Sequence, residues 1–120
     1  MKIAVPVNDD RQSVCASFGR APYFALWSEE QQAWEYVDNS AIASEGGAGI
    51  KAAQVLVDQH VQVLLTPRLG ENAAAVLRAA DIALYATQGQ SLQANLQAYR
   101  SGELTALADI HPGFHGQGGN

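Results

Sequence analysis

Tyr23-Phe-Ala-Leu-Trp-Ser-Glu-Glu-Gln-Gln-Ala-Trp-Glu-Tyr-Val37 decides the architecture of this chain. Aromatic and aliphatic residues over 23–28, and again over 34–37, have the composition of two short strands. The polar residues 29–32 leave room for a hairpin turn and nothing longer. Within the second segment, Trp34 and Tyr36 fall on one face and Glu35 and Val37 on the other, because side chains alternate along a strand. Upstream, Lys2-Ile-Ala-Val-Pro-Val7 reads as a buried strand with Pro6 near its end, followed by a polar loop over 8–17. The connections among these three strands are too short for helices, so they are expected to be antiparallel neighbours.

Downstream the texture changes. Ser44-Glu-Gly-Gly-Ala-Gly49 is a glycine-rich loop, and a helix is expected from Ala48 to Gln59 with Ile50, Ala53, Gln54 and Val57 inward. Val61 to Thr66 is a continuous apolar run stopped by Pro67, as in a central strand buried on both faces. A second helix is expected over 72–80, with Ala73, Val76, Leu77 and Ala80 inward, and a further strand over 82–86. Ser91 can cap a third helix over 92–101, with Leu92, Leu96 and Tyr99 as its stripe and Gly102 at its stop. Strands first, then alternating helices and strands, give a mixed five-stranded sheet: an antiparallel start, then parallel strands with crossover helices. A ribonuclease-H-like α/β arrangement fits. A flavodoxin-like sheet fits less well, because the first two connections hold no helix.

A chain of 120 residues is one domain. The expected domain covers residues 1–106, and 107–120, glycine-rich with His111 and His115, is expected to be a flexible tail. One cysteine excludes an internal disulfide framework and fits a reducing compartment. The opening apolar run is too short for a signal peptide, and no stretch approaches the ~20 apolar residues of a membrane span. A cytoplasmic protein is expected. The net charge of −5 disfavours nonspecific binding to nucleic acid or anionic membranes, and neither is expected as a partner. Any bound anion must be held by locally placed positive charge.

Four places can carry chemistry. Cys15 is either a small buried hydrophobe or a partly exposed thiol whose thiolate Arg20 favours; one cysteine cannot close a four-thiolate metal site. Phe18-Gly-Arg-Ala-Pro22 is a tight turn that displays Arg20. Gly46-Gly-Ala-Gly-Ile-Lys51 opens a helix, where backbone N–H groups and the helix dipole favour an anion, although the Walker and Gly-x-Gly-x-x-Gly patterns are absent. Thr66-Pro-Arg-Leu-Gly-Glu-Asn72 follows the central strand, at the carboxyl edge where ligands of open α/β sheets lie, and offers Arg68, Asn72 and the backbone at Gly70. The His111/His115 spacing is a weak metal signal without helical context, and His60 is expected to meet a helix C-terminus. Two-metal nuclease chemistry needs a carboxylate in the first strand, and Ile3-Ala-Val-Pro-Val7 has none. No triad or paired general acids stand out either.

Met1-Lys-Ile-Ala-Val-Pro-Val7, Phe18-Gly-Arg-Ala-Pro-Tyr-Phe24, Gly46-Gly-Ala-Gly-Ile50 and Arg68-Leu-Gly-Glu-Asn-Ala73, in that order, resemble the dinitrogenase iron–molybdenum cofactor biosynthesis family, and Gly102-Glu-Leu104 resembles its final segment. The resemblance covers residues 1–106. It implies a ribonuclease-H-like fold and a non-catalytic carrier of a metal–sulfur cluster, of Mo–Fe–S type or, as in the orange-protein branch, Mo–Cu–S type. Acceptor or scaffold proteins are then implied as partners. The implied binding set is Cys15, Ser17, Phe18, Gly19, Arg20, Gly46, Gly47, Gly49, Lys51, Arg68 and Asn72, with Phe18 and Tyr23 as shields from water. Cys15, His111 and His115 are the candidate metal ligands. Many members carry His immediately before Phe-Gly-Arg; here it is Ser17, and a hydroxyl is a poor ligand for soft metals. The expectation becomes retention of an anion by charge and hydrogen bonds. Two other readings stay open: a metal-free regulatory or interaction module using Trp27 or Trp34, and an enzyme for a small phosphorylated ligand at the glycine loop.

Overall fold

The computed structural model describes residues 1–112. Its main sheet is built from β1 (Lys2–Val7), β2 (Tyr23–Ser28), β3 (Ala33–Asp38), β4 (Val63–Thr66) and β6 (Ala83–Ala86), in the order β3-β2-β1-β4-β6. β1, β2 and β3 pair antiparallel, whereas β4 runs parallel to β1 and β6 parallel to β4. This is the mixed, ribonuclease-H-like sheet expected from the chain.

The alternation of β1 and β2 divides the core in two. Ala4, Phe24, Leu26 and Leu64 face α2 (Ala48–Asp58) and α3 (Glu71–Ala79). Ile3, Val5, Ala25, Trp27 and Leu65 face α4 (Leu92–Arg100). Sheet pairing explains the matched faces, since Ala4 lies opposite Leu26 and Ile3 opposite Trp27. A short helix, α1 (Ser40–Ala43), follows β3.

Helix boundaries fall within a residue or so of expectation, but two inward faces differ. The buried residues of α2 are Ala48, Ala52, Ala53 and Leu56, while Ile50 is 47% exposed and Gln54 is exposed. The small face lets α2 approach α3: a methyl on Gly49 would sit 3.8 Å from the Ala73 methyl. Close helix packing thus overrides the larger hydrophobe. In α3 the buried set is Ala73, Ala74 and Leu77; Ala80 is the exposed C-cap. α4 follows expectation, with Ser91 Oγ accepting the Ala94 N–H at 3.1 Å and Gly102 at φ +74° after the helix. His60 is exposed beyond α2 at φ +61°.

The domain boundary expected at residue 106 falls short. Leu107 is 7% exposed, and its N–H donates to the Leu84 carbonyl. The chain then runs to β7 (Ile110–His111), which pairs parallel with β5 (Leu69–Gly70) just before α3. Residues 107–111 therefore belong to the folded unit, because Leu107 fills the core and the β5 backbone needs partners. His115 and the rest of the expected tail lie outside the described residues. Among the described residues, no helix is long and apolar enough to cross a membrane.

Candidate anion-binding cleft

β1 and β4 are parallel neighbours whose chains leave in opposite directions across the sheet. Crevices form at such a divide, beyond the carboxyl ends of the strands. Here a cleft of about 560 Å³ lies among the loop after β1, the N-terminal turn of α2, the β4–α3 connection and β7.

The loop after β1 supplies Ser17, Phe18, Gly19 and Arg20 to the cleft. Phe18 is 4% exposed and packs on Phe24 with ring centroids 5.1 Å apart, which anchors the loop in the core. Gly19 then passes so close to α2 that a Cβ would meet the Gly49 backbone. Arg20 is exposed, and its Nη1 donates to the Ala43 carbonyl at 2.7 Å, at the end of α1.

Gly47 and Gly49 come from the glycine-rich segment. Gly47 is the N-cap of α2 at φ +71°, a conformation glycine adopts without Cβ cost. Gly70 is the N-cap of α3. Neither N-cap makes a side-chain hydrogen bond to its helix, so N–H groups of both first turns are left for other partners. The positive ends of two helix dipoles thus border the same cleft. Arg68 and Asn72 line it as expected, with Arg68 Nε 4.0 Å from Asp109 Oδ2 in an exposed pair of little energetic weight.

His111 also lines the cleft. β7 carries it across Gly70, where a Cβ would lie 3.3 Å from the imidazole Cε1. Gly70 lines the cleft too, at the edge where its backbone was expected, and Ala16, Ala48, Ile50, Leu69 and Ala73, not expected at the site, complete the wall. Ala48, Ile50 and Leu69 stand inside the glycine-rich and Thr66–Asn72 motifs, Ala73 adjoins the latter, and Ala16 lies between Cys15 and Ser17.

Four expected contributors lie elsewhere. Cys15 is not among the lining residues, and its thiol donates to the Ser17 carbonyl at 3.5 Å. Gly46 is not in the wall, and Lys51 pairs with Glu45 instead. Tyr23 does not shield the cleft; it packs with the α4-side cluster, with Arg11 stacked 4.5 Å over its ring. Trp27 is buried and offers no interaction surface, whereas Trp34 is half-buried. Among the described residues, no group of three His, Cys, Asp or Glu side chains could hold a metal ion. The wall suits an anion held by charge and N–H donors, over an apolar floor of Phe18 and Leu69.

Sheet order and cleft define a ribonuclease-H-like α/β protein with a crevice bordered by Arg20, Arg68 and two helix N-termini. The chain belongs to the dinitrogenase iron-molybdenum cofactor family, whose model matches residues 1–102. It is similar to the apo form of the orange protein from Desulfovibrio gigas, with 35% identity, TM-score 0.82, and coverage of 90% of this chain and 93% of that one. A putative NifB protein from Thermotoga is 33% identical with TM-score 0.75, covering 88% and 92% of the two chains. An uncharacterised protein of Methanocaldococcus jannaschii is 25% identical over 107 residues, 87% of this chain and 89% of its own length.

Proposed function

We propose that this protein holds and delivers an anionic, molybdenum-containing metal–sulfur cluster, of Mo–Cu–S or Mo–Fe–S type, without turning it over. The observation that carries this reading is the convergence of Arg20, Arg68 and two helix N-termini without side-chain caps on one cleft. Membership in the iron-molybdenum cofactor family and likeness to the orange protein support it. Sulfides of a thiomolybdate-type anion accept hydrogen bonds from guanidinium and backbone N–H groups. With Ser17 in place of a ligating side chain and Cys15 outside the wall, retention depends on electrostatics, and Phe18, Leu69 and Ile50 exclude water. Delivery implies an acceptor or scaffold protein that draws the cluster out.

The test is to incubate the apo protein with tetrathiomolybdate, with and without Cu(I), desalt it, and measure metals and the visible spectrum. A coloured, stoichiometric complex that Arg20→Ala weakens about tenfold is expected, a charged hydrogen bond being worth ~1.5–3 kcal/mol. Absence of a complex, or Arg20→Ala behaving as wild type, overturns the reading. A thermal shift with nucleotides but not with thiomolybdate would instead favour a phosphorylated ligand.

A further inference from the structure

We infer that Asn39 is the positioning residue for Arg20, acting on a cleft that it does not line. This rests on the anion-binding reading above. Asn39 sits between β3 and α1 and is 1% exposed. Its Nδ2 donates to the Gly19 carbonyl at 3.3 Å and to the Ala21 carbonyl at 2.9 Å, one on each side of Arg20. Its backbone N–H donates to the Pro22 carbonyl at 2.8 Å, and its own carbonyl accepts the Ala43 N–H at 2.8 Å. The Ala43 carbonyl in turn accepts from Arg20 Nη1 at 2.7 Å. One buried residue therefore holds the backbone before and after Arg20 and the helical turn that receives its guanidinium.

The arrangement carries a cost. Among the described residues, Asn39 Oδ1 is buried without a hydrogen-bond partner. An unpaired buried acceptor costs ~1–3 kcal/mol. Turning the amide over would set Oδ1 against the Gly19 and Ala21 carbonyls, which is worse. Asparagine supplies two donors on one uncharged head; aspartate would face both carbonyls with negative charge, and an aliphatic side chain would leave both contacts unmade. The two donors serve a segment that needs them. Gly19 and Arg20 lie outside regular secondary structure, and Arg20 is exposed. Without the clamp, the turn must be ordered when the anion arrives, which weakens binding. With it, Arg20 spends one N–H on Ala43 and presents the remainder of its five donors ready placed.

A double-mutant cycle tests this, with tetrathiomolybdate as the probe. Asn39→Ala is expected to lower affinity about tenfold in the wild-type background, as for loss of one to two hydrogen bonds. In the Arg20→Ala background its effect is expected to stay within about twofold, while its effect on the melting temperature is the same in both. Equal affinity losses in both backgrounds overturn the inference. If Asn39→Ala does not fold, Asn39→Ser keeps a hydroxyl donor and the same cycle applies. If the wild-type protein takes up no tetrathiomolybdate, the proposed function fails on its own. Asn39 is then read from the NMR signals of the Gly19, Arg20 and Ala21 amides and of Arg20 Nε–H. Shifts in Asn39→Ala that single out these groups uphold the positioning role, and unchanged signals overturn it.

Discussion

Gly19 packs directly on the backbone of Gly49: a Cβ on Gly19 would lie 2.7 Å from the Gly49 nitrogen and 2.9 Å from its α-carbon. Backbone cannot yield as a flexible side chain can. Gly19→Ala is therefore expected to destabilise the fold by about 1–3 kcal/mol, the range for an overpacked site. Denaturant titration measures it, and an unchanged midpoint would show that the loop after β1 shifts freely away from α2.

The adjacent glycines separate by conformation. Gly47 caps α2 at φ +71° with open space around it, so Gly47→Ala costs about 1–2 kcal/mol through backbone strain alone. Gly46 also faces open space, without a positive φ, and Gly46→Ala is expected to change stability by less than about 0.5 kcal/mol. Equal effects at the two positions would contradict this assignment.

Two cations close to the glycine-rich helix start and the β4–α3 turn are expected to differ in tetrathiomolybdate retention. Arg68 lines the cleft, and Arg68→Ala should weaken retention about tenfold, the weight of a charge-assisted hydrogen bond. Lys51 is paired with Glu45 outside the wall, and Lys51→Ala should leave retention unchanged. Isothermal titration of both variants decides the matter; the reverse order would relocate the site to the Lys51 side of α2.

Acid should loosen the start of α1. The Asp38 carboxylate accepts the Ser40 hydroxyl and then its backbone N–H, which lowers its pKa below the ordinary 3.8. The stabilisation is thus present above 3.8 and is lost as pH falls through the lower folded-state value. Thermal melts of wild type and Asp38→Asn should differ at neutral pH and converge on acidification below 3.8. A gap that stays constant with pH would rule out this charge as its origin.

Removing residues 107–120 should cost at least about 2 kcal/mol, since burial of a leucine side chain contributes roughly 1.5–3 kcal/mol. It would also strip the Asp109 carbonyl from the Leu69 N–H and the imidazole from the cleft wall. An unfolding midpoint equal to that of the full chain would restore the boundary at residue 106.

Features with local causes were legible in the sequence. The β2–β3 hairpin follows from strand composition around a polar turn, and α4 from Ser91 and Gly102 at its ends. Phe18, Arg20, Arg68 and Asn72 were found because they stand in motifs at chain turns, which the sheet brings to one edge. Features with distant causes were not. Ile50 looked like core, but helix α2 turns its small residues to α3. His111 looked like tail, because nothing nearby in sequence announces its pairing with Gly70. Cys15 stands next to a wall residue, Ala16, yet its thiol turns back onto the Ser17 carbonyl.

The cleft draws its wall from four stretches of chain, around residues 17, 48, 70 and 111. No one of them holds more than a fragment of the proposed binding surface, so under that proposal an unfolded or half-folded chain has nothing to offer a cluster. Cargo that binds only the finished wall acts as a non-covalent staple across the whole sequence, raising the unfolding temperature with its concentration. Loading would then certify that a copy of the protein is folded, and an unfolding copy would release its cluster in one step.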